Sequence, residues 1–226
     1  MKSSSIVRRI GIVAWIASTL AASAAVTVTV EPGKPWLGYM NVFQLPANGG
    51  GFVFGSGWGT ADLRAEFSGA TLTLSPNTIG DPNDFWYIGG GAPGSPGNKI
   101  MGANMYVEIN GGELLGQTLN FTGFVSANSF TAAHITKAFI KDFAPDYSSF
   151  VGIEVPITNG VFSLSLPTIN DPARHVQYGF ETTGVNVWST DVAPFGSISI
   201  TAIPEPGPLG LASVAGLFWV IRRRQR

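Results

Sequence analysis

Cysteine is absent from this chain of 226 residues, so no disulfide staples the fold and no thiol supplies a nucleophile or a metal ligand. Histidine is nearly absent. His134 and His175 each begin a strand-like pattern with no serine elbow and no second ligand at i+3 or i+4, and both read as surface or edge residues. Charge is scarce too, at 12% of residues, about half the share usual in a soluble domain. Of 13 basic residues, seven stand in the two ends of the chain, whereas Glu205 is the one acidic residue of 14 found there. The acidic stretch between excludes nucleic acid and anionic membrane surfaces as partners held by charge. Long apolar runs are missing as well: Ile10 to Leu20 and Leu209 to Ile221 each fall short of the about 20 apolar residues of a typical membrane-spanning helix.

The familiar motifs of catalysis and cofactor binding are incomplete. "GAPGSPGNK" lacks the glycine-lysine-hydroxyl ending of a phosphate loop, and its prolines remove amides that a phosphate would need. "DPND" at Asp81 to Asp84 has neither the glycine at the sixth position nor the glutamate at the twelfth that complete a calcium loop. It reads as a flexible acidic loop. The acidic residues of the body are scattered, and no pair with the spacing of a glycoside hydrolase can be selected from them. The expectation is a protein with no catalytic residue and no cofactor.

Glycine, at 29 residues, and proline, at 15, are abundant and imply many turns. The start, "MKSSSIVRRIGIVAWIASTLAASAA", has the three parts of a secretory signal peptide: basic residues, an apolar core and a small-residue exit. Cleavage is expected after Ala24, with Ala25 as the next choice. The end, "IPEPGPLGLASVAGLFWVIRRRQR", joins a proline-rich hinge to an apolar run and a basic stop. As a helix, the run 209–221 spans only about 20 Å, against about 30 Å of bilayer hydrocarbon. Extension back to Pro206 and snorkelling arginines make it just sufficient. The positive-inside rule then keeps Arg222, Arg223, Arg224 and Arg226 in the cytoplasm and puts the body outside.

This tail resembles the PEP-CTERM protein-sorting domain of exported proteins from Gram-negative bacteria that make extracellular polymer. Pro204, Glu205 and Pro206 match its signature, 209–221 its membrane helix and the four arginines its basic end. The resemblance covers about the last 24 residues. It implies passage through the secretion translocon, anchorage in the inner membrane during sorting, and recognition by an exosortase that removes the tail. Two prolines hold the motif extended and withhold amide donors, and an extended peptide is what a protease-like enzyme can grip.

Between the ends, short alternating runs recur with turn residues between them. "VTVTV" (Val26 to Val30) opens the series. Phe162, Leu164 and Leu166 oppose Ser163 and Ser165; Val176, Tyr178 and Phe180 oppose Gln177 and Glu181; Ile198, Ile200 and Ala202 oppose Ser197, Ser199 and Thr201. Strands are also expected at 36–43, 51–54, 63–67, 71–74, 85–88, 104–109, 118–125, 135–143 and 150–157, with Gly89 to Asn98 as a long loop. About a dozen half-buried antiparallel strands predict an all-β, two-sheet antiparallel β-sandwich of jelly-roll type over 25–202. The signal peptide (1–24) precedes it and the sorting domain (203–226) follows.

The stretches "GELLGQTLNFTGFVSANSF", "KAFIKDFAPDYSSFVGIEVPITNGVFSLSLPT" and "HVQYGFETTGVNVWSTDVAPFGSISI" resemble jelly-roll carbohydrate-binding modules with a galactose-binding-like fold, over Gly112 to Ile200. That resemblance implies polysaccharide as a partner, and modules of this type often carry a structural calcium ion. Trp58 in "GSGWGT", Trp86 in "DFWYIGG" and Trp188 after "TTGVNV" are candidate ligand contacts, with Gln177 and Asn186 as amide partners, because flat rings beside amides can grip a sugar. The expected protein is exported, sorted and processed by exosortase, and binds polysaccharide or serves as matrix at the cell surface or in extracellular polymer. A secreted polysaccharide-active enzyme and a purely structural adhesin are the alternatives.

Processing gives the first test. Intact-mass measurement of protein from an exosortase-competent cell is expected to show a chain that starts near Ala25 and lacks the arginine tail. Arg226 still present in that secreted form would overturn the sorting expectation.

Overall fold

The computed structural model describes residues 25–110 and 112–203. The expected signal peptide with Ala24, the motif Pro204, Glu205 and Pro206, the apolar run 209–221, and Arg222, Arg223, Arg224 and Arg226 lie outside the described residues. Among the described residues, no helix is long and apolar enough to cross a membrane.

Among the described residues, twelve strands make two sheets: β1 (Ala25–Val28), β2 (Leu37–Gln44), β3 (Phe52–Gly57), β4 (Ala65–Ser68), β5 (Thr71–Leu74), β6 (Lys99–Ile109), β7 (Thr118–Asn128), β8 (His134–Phe143), β9 (Phe150–Pro156), β10 (Gly160–Pro167), β11 (His175–Val185) and β12 (Ile198–Thr201). One sheet runs β1-β7-β12-β5-β4 with β10 also on β7; the other runs β3-β2-β6-β11-β8-β9. β10 lines one flank of β7 from Thr118 to Val125. The other flank is shared, with β1 along Thr118 to Phe121 and β12 along Phe124 to Asn128. The two-sheet β-sandwich expected from the alternation is what forms.

Period-two alternation decides which side chains enter the core. Phe162, Leu164 and Leu166 are buried while Ser163 and Ser165 face out. From β11, Val176, Tyr178 and Phe180 go inward, and Ile198 and Ile200 of β12 are fully buried. Phe121 sits at the centre, its ring centroid 5.1 Å from Tyr178, 5.3 Å from Phe180 and 5.3 Å from Phe162. Tilted and edge-on pairs of this kind add to the burial of area. Gly123 makes room for one of them, because a β-carbon there would lie 2.5 Å from the Phe162 ring.

Two expectations need correction. β1 runs parallel to β7, not antiparallel. It has no hairpin partner among the described residues to impose the antiparallel direction, and it fills the half of β7's flank that β12 leaves. Residues 85–88 are not a strand: Asp84 to Trp86 form turns, closed by Asn83 Oδ1 accepting from the Phe85 amide at 2.8 Å and by the Asn83 carbonyl accepting from Trp86 at 2.9 Å, and Tyr87 makes only an isolated antiparallel bridge with Gly97. Asp81 Oδ1 accepts likewise from the Asn83 amide at 3.0 Å. Such local side-chain bonds compete with a sheet ladder.

These turns pack through Tyr87, which is 0% exposed. Its hydroxyl donates to the Ile79 carbonyl at 2.7 Å and accepts from the Ile79 amide at 3.1 Å. A second buried polar anchor is Asp142, 1% exposed, on the inward face of β8. Arg174 Nε donates to Asp142 Oδ1 at 2.7 Å, and the Ile169 amide donates to Oδ2 at 2.8 Å. One carboxylate thus ties the β10–β11 connection to the end of β8.

Asp142→Ala is expected to destabilise the fold by about 3 to 5 kcal/mol, because it strands the half-buried guanidinium and a backbone amide. Asp142→Asn, which keeps an acceptor, should cost less. Urea unfolding of both variants measures this, and a loss below about 1 kcal/mol in the alanine variant would show that the pair does not hold the connection.

Candidate groove on the open face of the six-stranded sheet

The alternation that fills the core leaves a second set of side chains on the outer face of the β3–β9 sheet. In β6, Met101, Ala103, Met105 and Val107 go inward, so Asn104, Tyr106 and Glu108 take the other face. In β2, Met40 and Val42 go inward, and Tyr39 and Asn41 go outward. Register then aligns rows across the sheet. Glu108, Gln177, Lys141 and Gly152 are consecutive cross-strand neighbours, as are Tyr39, Asn104, Glu181 and Lys137. Above these rows lies a cavity of about 580 Å³ lined by Tyr39, Asn41, Asn104, Tyr106, Glu108, Lys141, Phe143, Tyr147, Phe150 and Gln177. It reaches from β2 to β9, five adjacent strands and about 19 Å, so it crosses the strands as a groove.

Charged groups on this face pair with one another. Lys141 Nζ lies 2.7 Å from Glu154 Oε1 and 3.9 Å from Glu181 Oε2, and Lys137 Nζ lies 3.3 Å from Glu154 Oε2. Burial pushes the Glu154 carboxyl up, but the hydrogen bonds and charges of Lys141 and Lys137 together hold it below the usual carboxylate range. The Lys141 ammonium also sits 4.4 Å above Phe139 and 5.3 Å from Phe150. Glu108 accepts from Gln177 Nε2 at 2.7 Å, from Asn110 Nδ2 at 3.0 Å and from the Tyr147 hydroxyl at 3.1 and 3.2 Å. Burial, with the Glu108 charge beside it, pushes the Tyr147 phenol up to about 12. It therefore stays a neutral donor. The face can accept and donate many hydrogen bonds and offers flat rings.

Of the five residues singled out as ligand contacts from sequence, Gln177 lies in this groove and the others lie elsewhere. Trp58 donates its indole N–H to Ser56 Oγ at 2.8 Å beside a separate cavity of about 430 Å³ that Asp62 also lines. Trp86 is half-buried against Phe54 and Phe85, with centroids at 6.2 and 4.7 Å. Trp188 packs edge-on against Tyr87 at 5.1 Å. Asn186, 1% exposed, accepts from the Lys99 amide and donates to the Trp86 carbonyl, a bond set that belongs to the fold. The groove's own rings, Tyr39, Tyr106, Phe143, Tyr147 and Phe150, escaped the sequence reading. The available signal was tyrosine on the polar side of an alternating strand, as in "NMYVEI".

For the acidic loop, Asp81 is used in its turn and Asp191 Oδ2 accepts from the Gly94 amide at 2.6 Å. Among the described residues, no three acidic or histidine side chains gather to hold a metal ion. The histidines differ from each other. His175 is at the groove's rim, whereas His134, the first residue of β8, is buried at 6% exposure, so of the expected surface or edge positions the surface one does not hold for it.

No protein-family model matches the chain, and no curated protein is significantly similar to it. Among solved structures, the chain is similar to the enzymatically active domain of tailspike protein 4 from Bacteriophage CBA120, at 16% identity and a TM-score of 0.29. That alignment takes in 61% of this chain and 18% of the tailspike chain. A likeness of this size leaves the groove's own geometry to carry the functional reading.

His134 supplies a pH test. Its ring stacks on Phe130 at 5.6 Å, meets Phe195 edge-on at 5.3 Å, and bonds the Val185 carbonyl through Nε2 at 3.0 Å, while Nδ1 is buried without a partner. Burial pushes its pKa below the ordinary value, and the Val185 bond only partly opposes this. The unfolded chain, with a histidine near 6.5, therefore takes up the proton first. The associated stability is complete above about pH 6.5 and is lost as pH falls through that value toward the lower folded pKa. Denaturation of wild type and His134→Gln between about pH 7.5 and 5 should show a steeper loss in the wild type, by up to about 1.4 kcal/mol per pH unit. Equal slopes would refute the assignment.

Proposed function

We propose that this is an exported protein that binds neutral polysaccharide at the cell surface or in extracellular polymer, with the groove on the open sheet face as its binding site. The observation that carries the reading is one continuous cavity in which five aromatic rings meet the amides Asn41, Asn104 and Gln177. Sugars offer apolar ring faces and hydroxyl edges, and sites for them combine stacking with a few fixed polar groups. On this face the carboxylates Glu108, Glu154 and Glu181 outnumber the ammonium groups of Lys137 and Lys141, which disfavours an anionic polymer. Glu154 is held ionised by its lysines, so it suits structure better than acid catalysis.

The strand alternation and the motifs of 112–200 support a jelly-roll, galactose-binding-like form of the sandwich. The two ends support a PEP-CTERM route: export by the translocon, a stay in the inner membrane, then exosortase processing. A protein of that route works beside polymer, where a glycan groove has a ligand to meet.

The test is binding of the secreted protein to a panel of neutral and anionic glycans. Neutral glycans are expected to bind with affinity that changes little over a tenfold range of salt. Gln177→Ala and Asn104→Ala should each weaken that binding about fivefold, the equivalent of about 1 kcal/mol, without loss of fold. Absence of any neutral-glycan binding at about millimolar concentration would sink the proposal and leave the matrix or adhesin role.

A further inference from the structure

Resting on the groove reading, a second inference concerns the hairpin turn between β8 and β9. Tyr147 in that turn has φ of 58°, one of two non-glycine residues with positive φ among those described, the other being Arg64. Left-handed backbone is costly for a side chain of this size and persists only where surroundings enforce it. Here they do. The Tyr147 amide donates to the Ala144 carbonyl at 2.9 Å, and Asp146 Oδ1 holds the next residue, accepting from the Ser148 amide at 3.1 Å and from its hydroxyl at 2.6 Å.

The ring is also fixed at both face and tip. One face stacks on His175 with centroids 4.4 Å apart and planes 13° apart. The hydroxyl reaches Glu108, so the side chain straps across β11 from the β8–β9 turn to β6. Tyr147 is nevertheless 48% exposed and lines the groove. Phe143 follows at 5.7 Å and Phe150 lies 5.1 Å beyond it. These three rings form an apolar wall on the β8–β9 side, facing amides that lie on β2, β6 and β11.

We propose that Tyr147 is the stacking platform of the groove: its free ring face receives the apolar face of one pyranose in a neutral chain, while Glu108 and His175 are positioning residues that hold it. The Glu108 oxygens already accept from Tyr147, Gln177 and Asn110, which suits holding the ring better than reading the sugar. Preorganisation of this kind strengthens binding because the ring's freedom is lost before the ligand arrives. The substrate class that fits is a neutral pyranoside polymer gripped along its length, with hydroxyls turned to Asn104 and Gln177.

The experiment is calorimetric titration of the secreted protein with cellohexaose, xylohexaose and mannohexaose, with a thermal melt of every variant. Tyr147→Gly is expected to weaken binding about tenfold while melting no lower than wild type, since glycine accepts the left-handed backbone. Tyr147→Phe, which keeps the ring and loses its anchor, should weaken binding about threefold. Glu108→Ala should do the same in wild type and add little in the Tyr147→Phe background, whereas Glu108→Gln, which keeps an acceptor for the hydroxyl, should restore affinity. If Asn104→Ala and Gln177→Ala weaken binding but Tyr147→Gly leaves it at the wild-type value, the groove stands and the platform is overturned. If the wild type binds none of the three, both are overturned.

Discussion

Everything on the outer face depends on the register of β11, which pairs antiparallel with β6 on one side and β8 on the other along ten residues each. Val176, Tyr178 and Phe180 set that register, because the rings of Tyr178 and Phe180 meet Phe121 and Val176 is buried in the same core. A slip of one residue would turn all three outward and drive Gln177 and Glu181 into the apolar core. The same lock puts Gln177 between Glu108 and Lys141. The groove is thus the reverse side of the core. Its geometry is specified by hydrophobic burial even though none of its amide groups takes part in it.

This explains what could be seen in the sequence. Runs such as "VFSLSLP" and "HVQYGFET" declare one apolar face, so the sandwich and most strand positions were legible. Which polar residues would meet was not, since Tyr39, Asn104 and Gln177 come from strands far apart in the chain and only the pairing order brings them together. Tryptophan was the visible candidate because its flat ring can grip a sugar, but its size favours packing. Size sent Trp86 and Trp188 against Tyr87, Phe54 and the loop before β6 instead. Residues 85–88 misled for a local reason: "DPND" supplies side-chain acceptors that curl the backbone before an apolar run can extend.

The two buried polar anchors show a common economy. Asp142 and Tyr87 each gather several partners from connections that lack strand pairing, and each leaves little hydrogen-bonding capacity unused. His134 is the counterexample. It is packed between Phe130 and Phe195 with one nitrogen unpartnered, and a β-carbon on Gly184 would lie 2.1 Å from its ring. Packing there was favoured over polar satisfaction, which is what makes the site sensitive to a proton.

The parallel placement of β1 bears on the order of events during synthesis. Ala25 pairs with Thr118, more than ninety residues later in the chain. A polypeptide that emerges with its leading end first must carry β1 unpaired until β7 has followed. The far half of the same flank waits longer still, for β12. The sheet therefore closes late and from both ends of the body onto a single strand, so the sandwich is completed only when nearly all of it has been synthesised.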